Sequence, residues 1–149
     1  MTQNAFLKVK TTSQRPDFRV FNAYLFGDDF HPCDTDGNSQ KVYSRDWTQL
    51  YMASRQTPEL WFDICEENNQ NTDILIISSD SEAVVNRIAY FLAKETKGEI
   101  FDQKNQPINA DSLKDKMGDF DLENRLQMAK NSIWRTSSEQ NPYPNLKND

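Results

Sequence analysis

The most regular hydrophobic pattern in the chain lies between Trp47 and Asp102. Apolar residues at positions 47, 50, 51 and 52 suit a helix or a strand, and the Thr57-Pro58 reversal that follows favours a strand over 47–54. From Glu59 to Cys65 the residues alternate: Leu60, Phe62 and Ile64 share one face, and Trp61, Asp63 and Cys65 share the other. A polar turn over 66–71 leads into Ile74, Leu75, Ile76 and Ile77, an unbroken apolar run that predicts a strand inside the sheet over 73–78. Ser79 and Glu82 are spaced as a capping box. They precede Val84, Val85, Ile88, Ala89, Phe91 and Leu92, which fall on one helical stripe. Lys94 and Lys97 suit the last turn, Gly98 a left-handed stop, and residues 99–102 a returning strand. The order β-β-β-α-β follows.

The flanks are less regular. Residues 5–9 predict a short strand. Over 17–26, Phe18, Val20, Asn22, Tyr24 and Phe26 alternate with Arg19, Phe21, Ala23 and Leu25, which predicts another strand. Gly27 opens a polar stretch through Gln40 dense in turn formers, read as a loop. Downstream, Asn109 or Asp111 caps a short helix to Met117. Leu122, Leu126, Ala129 and Ile133 then predict one amphipathic helix over 119–135. The fold class is α+β: an antiparallel sheet of about five or six strands, a main helix packed on it, and C-terminal helices. Residues 1–135 form a single domain, and 136–149, rich in Ser, Asn, Pro and charge, form a flexible polar tail.

Composition narrows the function. The chain has 149 residues, one domain's worth, of which 36% are hydrophobic. No stretch approaches the ~20 apolar residues of a membrane helix, and the first ten residues lack a signal-peptide pattern. Cys33 and Cys65 form neither a CxxC nor a disulfide framework, which suits a reducing cytoplasm. The net charge of −6 disfavours direct binding to nucleic-acid phosphates and favours basic partners.

Catalytic chemistry is thinly supplied. His31 is the single histidine, and no GxSxG, HExxH, Walker-type or dinucleotide glycine pattern occurs. Residues 34–38 (Asp-Thr-Asp-Gly-Asn) resemble part of a calcium loop. With Gly37 at loop position six, however, Pro32 and Tyr43 occupy positions that need oxygen ligands. A zinc site built from His31, Cys33, Asp34 and Asp36 would crowd four donors into six residues. The expectation is a protein that is not an enzyme and has no metal and no cofactor. A small metal-dependent or cysteine hydrolase using His31 and Cys33 is the alternative.

Acidic residues cluster in three places: Asp28, Asp29, Asp34 and Asp36; then Glu59, Asp63, Glu66 and Glu67; then Asp111, Asp115, Asp119, Asp121 and Glu123. Trp47, Tyr51 and Trp61 would share one face of the 47–54/59–65 hairpin, while Leu50, Met52, Leu60, Phe62 and Ile64 pack on the helix. That aromatic face is either an exposed interface anchor or is covered by the C-terminal helix through Leu126, Ile133 and Trp134. The candidate partner-binding residues are Asp28, Asp29, Asp34, Asp36, Trp47, Tyr51, Trp61, Glu66 and Glu67.

Two stretches carry a layout-level resemblance: the aromatic-led strand Asp46-Trp47-Thr48-Gln49-Leu50-Tyr51, and the helix with its glycine return, Ala89-Tyr90-Phe91-Leu92-Ala93-Lys94-Glu95-Thr96-Lys97-Gly98-Glu99-Ile100. With the buried strand between them they cover about a third of the chain. The layout resembles small immunity proteins of bacterial toxin systems, including contact-dependent inhibition and related polymorphic toxins. The resemblance implies a cytoplasmic, non-membrane inhibitor that binds a cognate toxin domain, often a nuclease, and occludes its active site. It transfers no residue roles by position. An adaptor or homodimeric structural subunit is a further alternative, and monomer and homodimer are both open.

Overall fold

The unbroken apolar run at Ile74–Ile77 suits a strand with neighbours on both sides, and the chain places it so. The computed structural model describes residues 5–37, 41–68 and 71–144. Its strands are β1 (Ala5–Lys10), β2 (Cys33–Gly37), β3 (Gln49–Ser54), β4 (Trp61–Asn68), β5 (Asn71–Ser79), β6 (Glu99–Phe101) and β7 (Pro107–Ile108). They form one sheet in the order β2-β3-β4-β5-β1-β6-β7, with every pairing antiparallel. The protein is therefore α+β, with seven strands where five or six were expected. Helix α1 (Glu82–Thr96) lies on one face, and α2 (Leu122–Lys130) follows it. Within the segment 47–54, open to either reading in sequence, residues 49–54 form a strand and Trp47 and Thr48 precede it.

The core sits between α1 and the sheet. Val84, Val85, Ile88, Ala89, Phe91 and Leu92 of α1 pack over Leu7, Val9, Met52, Phe62, Ile64, Leu75, Ile77 and Ile100. The residue that opens α1 is Ser81, whose hydroxyl accepts the Val84 N–H, rather than Ser79. Pairing with Ala5 extends β5 through Ser79, and the Ser79 hydroxyl instead donates to the Trp61 carbonyl at 2.8 Å. Lys97, with φ 54°, takes the left-handed position expected of Gly98. Glycine is still required at 98, because a Cβ there would sit 2.4 Å from the Lys10 carbonyl oxygen.

The strand expected over 17–26 is instead helical, a π-turn spanning Asn22–Phe26 and closed by left-handed Gly27. Every residue from Val20 to Leu25 is buried, so its apparent alternation was continuous burial. A helical turn satisfies its backbone groups locally, whereas a strand there would need edge partners. Phe21 fills the centre, with ring centroids 6.1 Å from Trp47, 5.3 Å from Phe62 and 5.4 Å from Phe91. Tyr24 stacks on Phe91 at 4.2 Å and donates its hydroxyl to the Arg87 carbonyl.

The loop expected over 27–40 contains β2. The C-terminal helix is also shorter than 119–135, because Ser132 and Ile133 bond the Asp29 carboxylate and redirect the chain into a 3₁₀ turn, Ile133–Thr136. Helix α2 packs on the π-turn, and Arg125 donates to the Leu25 carbonyl at 2.6 Å. It therefore does not cover the second face of the sheet. The polar turn expected over 66–71 is narrower, since β4 runs to Asn68 and β5 starts at Asn71.

A buried charge cluster ties these parts together. Asp17, with no exposed side-chain surface, pairs with Arg19 and Arg45 and accepts the Ser137 hydroxyl at 2.6 Å. The Arg19 guanidinium lies 4.1 Å from the Trp134 ring centroid. Residues 145–149 of the expected tail lie outside the described residues, while Ser137 is buried against Asp17. Asp17→Ala leaves two arginines without their carboxylate and is expected to destabilise the fold by about 3–5 kcal/mol in urea unfolding. The double variant Asp17→Ala/Arg19→Met is expected to recover part of that loss.

Candidate interaction surface

Helical cover lies on one side of the sheet, and the register decides what the other side presents. Directly paired residues share a face. One row across the open face runs Asp36, Tyr51, Asp63, Ser78 and Phe6. A second runs Asp34, Ala53 and Trp61, and a third runs Gln49, Cys65, Ile76, Lys8 and Phe101. The result is a mixed surface in which aromatic and branched apolar side chains alternate with carboxylates.

Tyr51 is 38% exposed, and its ring lies 6.2 Å from that of half-buried Trp61. Asp63 stands between Tyr51 and Ser78, and no described side chain bonds its carboxylate. Burial pushes its pKa above the usual carboxylate value. The same cause, reinforced by Asp63 and Glu66, pushes the Cys65 thiol up. Lys8, the cation on the third row, reaches across β5 to pair with Glu67 and also donates to Asn105 at 3.0 Å. The open face therefore keeps negative charge.

The structure sorts the candidate residues. Tyr51, Trp61, Asp34, Asp36 and Glu67 come together on the open face or its β2 edge. Asp34 pairs with Arg55 at 2.7 Å, both highly exposed, and the Asp36 carboxylate accepts the Gly37 N–H. Glu66 pairs opposite Leu75 and so lies on the helix side of β4, at its end. Trp47, expected on one face with Tyr51 and Trp61, is 2% exposed and donates its indole N–H to the Pro16 carbonyl. It precedes β3, so the strand alternation does not govern it. Asp29 is a structural latch for Ser132, Ile133 and Trp134, and Asp28 caps the turn at Phe30.

His31 and Cys33 serve separate neighbours. His31 Nε2 is 2.8 Å from the Ser54 hydroxyl, which also accepts N–H bonds from Gln56 and Thr57. With both hydroxyl lone pairs taken, Ser54 donates to an unprotonated Nε2. Burial also lowers the His31 pKa, against an opposing pull from Asp28. Ser54 is itself buried, which suits a turn pin rather than an accessible nucleophile. The Cys33 thiol donates to Asn22 Oδ1, and its pKa is pushed up by burial. Among the described residues no three His, Cys, Asp or Glu side chains converge as a metal-holding group, and no helix is long and apolar enough to cross a membrane.

Sequence reasoning placed Asp63 beside Trp61 but did not select it, and it missed Phe6, Ile76 and Phe101. Strand alternation shows which residues share a face within one strand. It does not show which strands lie side by side.

Because the folded pKa of Asp63 is raised, its contribution to stability is full below the unfolded carboxyl value and is lost as pH rises through the folded value. Asp63→Asn is thus expected to raise the urea midpoint at pH 7, with the difference closing near pH 3. No family model, curated protein or solved structure matches the chain, so what this surface does is read from its own chemistry.

Proposed function

We propose that this chain is a binding inhibitor of the immunity type. In this reading it docks a basic toxin domain on the open face of its sheet and occludes the toxin's active site. The observation that carries it is the pairing of exposed Tyr51 and half-buried Trp61 with a carboxylate, Asp63, that no other described side chain bonds. Aromatic side chains supply large contact area at low entropy cost, and they dominate binding where an interface centre is dry. A Lys or Arg of the partner set against Asp63 would relieve its desolvation, so the same charge that burdens the free protein favours the complex. The net charge of −6 also speeds encounter with a basic partner. Occlusion needs no catalytic group. The engagement of His31 with Ser54 and of Cys33 with Asn22 weighs against the hydrolase alternative. Two free cysteines suit a reducing cytoplasm as the place of action.

The test is co-expression with the product of the adjacent reading frame. The expected result is a tight complex and protection of the cells from a toxic product. Tyr51→Ala/Trp61→Ala is expected to weaken that complex about 1,000-fold, as two losses of about 2 kcal/mol each imply, and to lower the unfolding midpoint by much less than a core truncation does. No complex and no protection would end the immunity reading.

A further inference from the structure

The two edges of the sheet are built differently. The β7 edge is two residues long and includes Pro107, which has no N–H to offer. The β2 edge is five residues long, contains no proline or lysine, and pairs only with β3 among the described residues. Its outward groups follow from the ladder. The Arg55 N–H donates to the Pro32 carbonyl and the Ser54 N–H to the Leu60 carbonyl. By antiparallel alternation, Asp34 and Asp36 turn their backbone groups to β3, while Cys33 and Thr35 turn theirs away from it. Unpaired edge groups of this kind are a template for another strand.

The side chains along this edge specify what could pair there. Thr35 pairs opposite Met52 and so lies on the helix side. Toward that side Phe18, Val42, Trp47 and Leu50 supply the apolar wall of a cleft of about 240 Å³ whose other lining includes Asp36 and Gln49. Asp34 and Asp36 lie on the open face, exposed, and the exposed Asp34–Arg55 pair is readily exchanged for another cation. A strand laid beside β2 would send alternate side chains to these two environments. A second copy of this chain fits poorly, because an antiparallel β2–β2 pairing sets aspartates against aspartates.

We infer that the β2 edge accepts an extended segment of a partner protein by strand addition. The segment alternates branched apolar residues, which enter the Phe18/Val42/Trp47/Leu50 cleft, with Lys or Arg facing Asp34 and Asp36. The inference rests on the reading of this chain as a protein-binding module and specifies the backbone contact and the partner's sequence pattern.

The test is selection of a phage-displayed library of random nine-residue peptides against the full chain. Enriched peptides should alternate Val, Ile or Leu with Lys or Arg, and should bind Thr35→Pro at least 30-fold more weakly. Proline at 35 removes an outward N–H and puts its ring in the path of the incoming strand, while the β3 ladder loses no bond. Asp34→Lys/Asp36→Lys keeps the backbone intact and should turn the preference toward acidic peptides, which keeps the test decisive if the proline variant unfolds. Peptides without alternation, unchanged binding to Thr35→Pro, or an unchanged preference with the lysine variant would overturn the inference. So would a concentration-dependent dimer by light scattering that Thr35→Pro abolishes. Peptide binding lost only with Trp61→Ala would overturn the edge and leave the open face as the docking surface. Edge peptides that bind while the adjacent-frame product does not would uphold the edge and remove the immunity reading.

Discussion

A sheet has two faces, and the described residues supply apolar cover for one of them. One helix of 15 residues, with a buried π-turn beside it, seals the side formed by Leu7, Met52, Phe62, Ile64 and Ile77. Helix α2 and the 3₁₀ turn after it pack around the π-turn and so thicken the layer already covered. The open side still carries Tyr51, Trp61, Ile76, Phe6 and Phe101 in adjoining rows. Had the C-terminal helix crossed the sheet, these residues would be a second core. Because it does not, they are available to another molecule.

The arrangement depends on a polar device as much as on apolar burial. The Asp17 carboxylate meets Arg19, Arg45 and Ser137, which come from the π-turn region, the segment before β3 and the C-terminal stretch. Asp29 does similar work from the other end, taking two bonds from Ser132 and Ile133. Together they hold the C-terminal stretch on the helical side. Acids that look alike in sequence therefore divide into two kinds. Asp17 and Asp29 are consumed by the fold, whereas Asp34, Asp36 and Asp63 keep charge directed outward. Burial raises the pKa of Asp63, with no described side chain bonded to it in compensation, and a docking surface can carry such a charge where a core cannot.

Much of this was legible in the residues. The alternation of Leu60, Phe62 and Ile64 against Trp61, Asp63 and Cys65 gave the two faces of β4 correctly, and the Val84–Leu92 stripe gave α1. Errors arose where burial came from all sides or where a partner strand supplied the stability. Val20–Leu25 is apolar throughout because it is enclosed, so alternation carried no information there. Residues 33–37 have poor strand propensity and form β2 through the β3 ladder. Ser79 matched a capping box but was claimed by the β1–β5 pairing.

What the sequence determined by itself is local: the period of β4 and of α1, the caps of α1 to within two residues, the acidity, and the scarcity of catalytic groups. Tertiary structure decided which acids the fold consumes, that Trp47 is core, that Tyr51 and Trp61 meet on an open face, and that β2 is an edge among the described strands. The physical reason is that hydrophobic period and capping depend on neighbours within a few residues of the chain. Strand order, face coverage and the desolvation of a carboxylate depend on residues far apart in the chain, as far as the 120 positions between Asp17 and Ser137, brought together only by packing.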